Sequence, residues 1–184
     1  MIEFSSVPEL GDLWQSLPEF EQQLINMAKA LNVSLVDYPI DHISVRCHHI
    51  ETAKRWQTGL LKCGQLLSNN IINGRSICLF ELEKPLLVAS QTIFIIELPF
   101  PKDKVYPQET WEHIEMVIDV APDQLEDTAH KLLPHPLPEG FHSKMSQPKG
   151  QQERLPNPTL AVSNGLITIK YHPFTLKKII ESEK

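Results

Sequence analysis

The sequence predicts an α+β fold of two βαβββ-type modules, joined as a cup-shaped mixed sheet with a shared cleft and preceded by N-terminal helices. Three observations carry this. DHISVR and EHIEMV repeat the pattern acid-His-Ile, placing His42 and His113 71 residues apart. Each copy precedes a helical segment that leads on to strands. Each half also ends in an apolar strand closed by proline, IIELPFP and TIKYHPF. The divisions expected are 1–38 for the helical extension, 39–104 for the first module and 105–184 for the second, all in one compact domain.

The elements follow in order. SLPEFEQQLINMAKALN places Phe20, Leu24, Met27, Ala28 and Leu31 at helical spacing, with Ser16 as its cap and Pro18 and Glu19 in its first turn. A shorter helix is expected around Pro8 to Trp14. HISVRC alternates apolar and polar residues, a strand signal. ETAKRWQTGLLKC is a helix that Gly64 would stop. QLLSNNI, RSICLFELE and QTIFIIEL read as strands, the first two joined by the turn Asn73-Gly74. PFPKDKVYPQE is a linker. The second half opens with the alternating WEHIEMVID and the helix PDQLEDTAHKLL. Its middle is degraded: Pro134 to Pro158, with six of the fifteen prolines, reads as one irregular stretch of the kind that forms lids or surface excursions. PTLAVSNGLITIKYHP gives two strands joined at Asn164-Gly165, and the tail TLKKIIESEK is expected to be solvated.

Composition narrows the function. The 184 residues carry 17 basic and 23 acidic side chains, net −6, with no Lys/Arg block to bind a polyanion, so no nucleic-acid partner is expected. Cys47, Cys63 and Cys78 lack the pairing or spacing of a disulfide framework or a cysteine zinc site. MIEFSSVPELGDLW lacks the basic start and apolar core of a signal peptide, and TIFIIELPFP is too short to span a bilayer. A cytoplasmic protein without a membrane partner is expected, of open oligomeric state and compatible with a monomer.

Strand alternation sorts the side chains. Ile43, Val45 and Cys47 oppose His42, Ser44 and Arg46; Ile114, Met116 and Ile118 oppose His113 and Glu115. The apolar faces belong under the helices, which turns both histidines into the concavity. Glu97 interrupts a very apolar strand. Two imidazoles and a carboxylate can bind a divalent first-row metal and leave positions open, so His42, Glu97 and His113 are the expected ligands. Glu115, on the His113 face, is the candidate catalytic base, with a carboxyl raised by the closed cleft; ligation in place of Glu97, pairing with Arg46, or support of the ligands from behind are its alternatives. Ser44, Arg46 and Lys170 are candidate substrate contacts. Arg75, Lys144, Lys149 and Arg154 lie in or beside loops that could cover the cup. His48 and His49 belong to the loop after the strand, and Trp14, Trp56 and Trp111 to packing.

These residues resemble the vicinal oxygen chelate superfamily, which includes glyoxalase I, extradiol dioxygenases, fosfomycin-resistance enzymes and bleomycin-binding proteins. DHISVR and EHIEMV match its first-strand patterns, and Glu97 falls on the last strand of the first module. More specifically, DHISVRCH, ELPFP, WEHIEMVI and SKMSQPKGQQERLPNPTLAVSNG resemble the YecM family. The resemblance implies paired βαβββ modules, a divalent ion (zinc, nickel, manganese or iron), a small polar substrate, and isomerase, lyase or oxygenase chemistry. A non-catalytic protein that binds a small anion in the same cleft is the alternative. The sequence departs from the superfamily on its last strand, where Thr168, Lys170 and His172 stand and no carboxylate does. Lys170 could neutralise Glu97 or bind an anion, and His172 could replace the missing ligand.

Overall fold

The computed structural model describes residues 1–147 and 154–184; Lys149 lies outside the described residues. Four α-helices, α1 (Gly11–Leu31), α2 (Ile50–Cys63), α3 (Leu125–His130) and α4 (Leu176–Ser182), accompany eight strands. These are β1 (Ile40–Arg46), β2 (Gly64–Ile72), β3 (Arg75–Val88), β4 (Gln91–Pro99), β5 (Thr110–Val117), β6 (His142–Ser146), β7 (Thr159–Ser163) and β8 (Thr168–His172). One sheet holds them all, in the order β2-β3-β4-β1-β5-β8-β7-β6. β1 runs parallel to β4, β5 runs parallel to β8, and β1 and β5 meet antiparallel in the middle. The second half therefore repeats the βαβββ order of the first about the β1/β5 pair, the architecture that the superfamily resemblance implies.

The second half is more complete than expected. β6 lies inside the stretch read as irregular and pairs along its length with β7, from His142↔Ser163 to Ser146↔Thr159. The tail is also structured. Thr175 caps α4 by accepting the Lys178 N–H at 3.2 Å, and Ile179 is buried.

The N-terminal helix differs from expectation as well. A 3-10 turn at Pro8–Leu10 leads directly into α1, which runs unbroken through Pro18. Ser16 is an interior residue; its hydroxyl bonds the Leu13 carbonyl and Thr110 on β5, not the helix start. Leu13, Leu17, Phe20, Leu24, Met27, Ala28 and Leu31 form the buried stripe. At the helix end Asn32 takes the left-handed conformation (φ 52°) and its N–H returns to Ala28 and Lys29.

The core lies between α1–α3 and the face of the sheet that carries Phe80, Ile96, Ile43, Val45, Ile114, Met116, Ile169, Leu160 and Val162. Fully burying such side chains contributes on the order of 1.5–3 kcal/mol each. Trp111 and Trp56 are fully buried, and their indole N–H groups donate to Leu13 O and to the Asp12 carboxylate. Trp14 is 44% exposed, so it is only partly a packing residue. The three cysteines are free and buried.

Two glycine positions bear on register. Asn73 and Gly74 both have positive φ, as the Asn-Gly signal requires. Gly64 follows α2 in extended conformation, not as a left-handed stop. Its lack of a side chain is needed for packing, because a Cβ there would stand 2.5 Å from the Glu81 carbonyl oxygen. No helix among the described residues is long and apolar enough to cross a membrane.

Candidate metal centre

The opposite face of the sheet collects the polar residues. The register pairs His42 with Glu115 and Ser44 with His113 across β1/β5, Ser44 with Glu97 across β1/β4, and Glu115 with Lys170 across β5/β8. Alternation then points all of these side chains into one concavity. His42, Ser44, Arg46, His113 and Glu115 are buried, although polar residues are seldom so.

His42, Glu97, His113 and Glu115 each offer one ligand atom, and these atoms lie within 4.8 Å of one another. Glu115 Oε1 is 3.5 Å from His42 Nε2 and 3.2 Å from His113 Nε2. Glu97 stands farther from the same two nitrogens, at 3.8 and 3.7 Å. The structure thus brings the three expected ligands together and adds Glu115 to them.

Each imidazole is held from behind by the residue before it. Asp41 Oδ2 lies 3.0 Å from His42 Nδ1, and Glu112 Oε2 is hydrogen-bonded to His113 Nδ1. A carboxylate behind the ring accepts the Nδ1 hydrogen, which fixes the ring's orientation and turns Nε2 toward the centre. The carboxylates are anchored in turn. Asp41 accepts the Leu176 N–H at 2.9 Å, and Glu112 accepts the Thr168 hydroxyl at 2.9 Å. Ser44 donates to Glu97 Oε1 at 2.8 Å. The acid of the acid-His-Ile repeat is the sequence signal for Asp41 and Glu112, to which strand alternation alone assigns no role.

Arg46 does not pair with Glu115. Its guanidinium lies 3.7 Å from Glu97 and 3.8 Å from Glu112, and it donates to Ser44 Oγ at 3.0 Å. Lys170 pairs with Glu115 at 3.1 Å and not with Glu97; its ammonium also donates to His113 Nε2 at 3.2 Å. His172, fully buried at the end of β8, lies 3.8 Å from Asp41 and 3.7 Å from Glu115. Both of its ring nitrogens, and His42 Nε2, are buried without a hydrogen-bond partner. With Asp41 and His42, His172 forms a second group of metal-competent donors. His48 and His49 sit apart, their backbone N–H groups on Glu109.

The electrostatics are those of a compressed charge cluster. Burial disfavours the charged form of His42, but Glu115 and Asp41 outweigh it and raise its pKa from 6.5 to about 10. Burial also opposes ionisation of Glu97, Glu112 and Glu115 and is again outweighed. His113 and His42 lower Glu97, His113 and Arg46 lower Glu112, and Lys170 and His42 hold Glu115 well below the carboxylate range. The raised carboxyl expected of a base at Glu115 is therefore absent, because the cations around it outweigh the closed cleft. Burial pushes His172 down toward the neutral form.

The cluster forms the floor of a cavity of about 140 Å³. Arg46, Arg75 and Lys170 line it, with Ile77 and Leu79 on β3 and Leu176, Ile179 and Ile180 on α4. Of the loop cations expected above the cup, only Arg75 among the described residues reaches this lining; Lys144 and Arg154 are exposed elsewhere.

Comparison with known proteins extends the likeness over nearly the whole chain. Protein YecM of Escherichia coli is 46% identical over 187 residues, covering 100% of this chain and 99% of that protein. An uncharacterized protein of Haemophilus influenzae is 43% identical over 182 residues, covering 95% of each. A solved structure described as "Structural Genomics, Protein EC4020" is 44% identical and superposes with a TM-score of 0.93, covering 100% of this chain and 98% of that one. The YecM protein family matches residues 9–183, a span that takes in both copies of the acid-histidine repeat and α4, and the chain belongs to that family.

Proposed function

We propose that this protein is a divalent-metal-dependent enzyme of the vicinal oxygen chelate type that acts on a small polar substrate. The observation that carries the reading is the donor set: two Nε2 atoms and two carboxylates within 4.8 Å, each ring fixed by its own carboxylate. The donors fit zinc, nickel, manganese or iron, and His42 Nε2 is buried with no other partner. His42, Glu97 and His113 would hold the ion with Glu115 as the fourth donor, the role its distances favour over that of free base. Bound there, the ion would supply Lewis-acid polarisation of substrate oxygens.

The chain's own residues do the rest. Asp41 and Glu112 keep the Nδ1 protons in place, and Ser44 and Arg46 hold one oxygen of Glu97. Lys170, at the cavity wall, presents an ammonium to an oxyanion or to Glu115. Isomerisation, lyase chemistry and oxygenation all suit such a site. Metal analysis of untagged protein, purified without added metal, is the test. About one ion per chain is expected, and His42→Ala and His113→Ala should remove most of it. Substoichiometric metal that neither substitution lowers would refute the reading.

One observation favours a second reading, a small-anion binding protein without turnover: Lys170 already donates to His113 Nε2, which a metal would need. On that reading, metal-free protein gains thermal stability from phosphate or malonate, and Arg46→Ala or Lys170→Ala abolishes the gain.

A further inference from the structure

We propose that the cavity binds a short-chain carboxylate, with its charge on Arg75 and an apolar skeleton of up to about six carbons against β3 and α4. This rests on the reading of the cup as a small-molecule site and names the ligand class.

Arg46 and Lys170, the cations expected to anchor an anion, are neutralised by Glu97 and Glu112 and by Glu115 respectively. Arg75 is not. It is half-buried on the cavity wall, and its side chain donates to the Tyr106 hydroxyl, 3.4 Å from Nη1. A half-buried guanidinium that makes no ion pair among the described residues is a ready anchor for an incoming carboxylate.

Arg75, Ile77 and Leu79 alternate along β3 and face the cavity together. Leu79 pairs with Glu97, so this row runs from the donor cluster to Arg75, roughly 14 Å between its end Cα atoms. Opposite it, α4 contributes Leu176, Ile179 and Ile180. Ile77, Leu79 and Ile179 are buried yet lie outside the main core cluster. Their apolar surface gathers around this cavity, on the side of the sheet away from α1–α3. A cavity near 150 Å³ accommodates about a benzene's worth of carbon, which limits the skeleton that fits about 140 Å³.

The test is an NMR titration of the full chain after chelator treatment, with acetate, 4-methylpentanoate and 4-methylpentanamide as probes. Each buried methylene contributes about fourfold, so 4-methylpentanoate should bind at least tenfold tighter than acetate. The amide, lacking the charge, should bind at least tenfold more weakly than the acid. Arg75→Gln should cost at least tenfold. Ile180→Asp, a half-buried position that leaves the core intact, should do the same by placing a like charge beside the ligand. Acetate binding as tightly as 4-methylpentanoate, or unchanged binding in either variant, overturns the inference. Arg75 makes no hydrogen bond or ion pair with the metal donors among the described residues, and Ile180 is apolar, so the two readings fail separately. Protein that retains no metal but binds 4-methylpentanoate supports this inference and sinks the metal centre; metal-loaded protein indifferent to all three probes does the reverse.

Discussion

Replacing Asp41 by asparagine tests whether the paired carboxylates tune the centre. Asp41 Oδ2 receives His42 Nδ1 at 3.0 Å and Leu176 N at 2.9 Å. Asparagine keeps the shape and one oxygen acceptor but removes the charge, and a charge-assisted hydrogen bond is roughly twice as strong as a neutral one. The proton on Nδ1 is then held less firmly and Nε2 becomes a poorer donor. Loss of such an outer partner typically costs 10–100-fold in metal affinity, or about 1.4–2.7 kcal/mol. Glu112→Gln should act alike on His113, because the two carboxylates hold equivalent positions in the repeat. The assay is competition for Zn(II) against a chromophoric chelator at pH 7, with His42→Ala as the reference for outright loss of a ligand. If Asp41→Asn and Glu112→Gln hold zinc as tightly as the parent while His42→Ala releases it, the carboxylates do not tune the rings and the argument from their geometry fails.

Three further outcomes are expected. In chelator-treated protein the raised pKa of His42 contributes stability that is complete below about pH 6.5 and is lost as pH rises through about 10. The lowered carboxyls of Glu97, Glu112 and Glu115 contribute stability that is present above about pH 4.5 and is lost as pH falls below it. The urea midpoint should therefore be higher at pH 5.5 than at pH 9.5, and equal midpoints would contradict the cluster. Leu176→Pro deletes the N–H that caps Asp41 without breaking α4, because proline suits the first helical position and Thr175 is already extended (φ −65°, ψ 150°). A loss of about 1.5–3 kcal/mol in denaturant unfolding is expected with helix content unchanged. Gly64→Ala should lower the melting temperature, at a cost of about 1–3 kcal/mol, since its Cβ would meet the Glu81 carbonyl of the paired strand at 2.5 Å.

What the sequence made legible is what strand periodicity encodes. Alternation in DHISVR and EHIEMV assigned His42, Ser44, His113 and Glu115 to one face, and the register puts them there. What it hid has physical reasons. β6 is an edge strand with no residue fully buried, so it has no apolar face to reveal it. α4 is a short helix that covers the concave side of the sheet, so its apolar residues make no long core stripe. Pro18 reads as a helix start because α1 continues from a 3-10 turn that leaves no capping side chain to read. β3 runs on through Pro85 because that residue falls in a register irregularity between Glu81 and Leu86, where a missing N–H is tolerated. Alternation does not reveal Asp41 because neighbours in a regular strand point apart; here a register irregularity falls between Ile40 and His42.

The departure at Lys170 becomes intelligible through charge. The buried cluster holds four carboxylates, Asp41, Glu97, Glu112 and Glu115, each with a side chain no more than 15% exposed. Arg46 and Lys170 are its permanent cations. With neutral imidazoles the balance is −2, which one divalent ion cancels; without an ion, a proton on His42 makes up part of it. A carboxylate in place of Lys170 would take the same cluster to −4, and uncompensated buried charge is among the costliest arrangements a fold can carry. Two of the four carboxylates are already committed to orienting His42 and His113. If a metal binds as proposed, with Glu115 as a ligand, a last-strand acid would be unnecessary, and a last-strand lysine would keep the remaining charge matched to a divalent ion. On this argument Lys170 is the counterweight to Asp41 and Glu112, and the acid-His pairs and the lysine belong to one design.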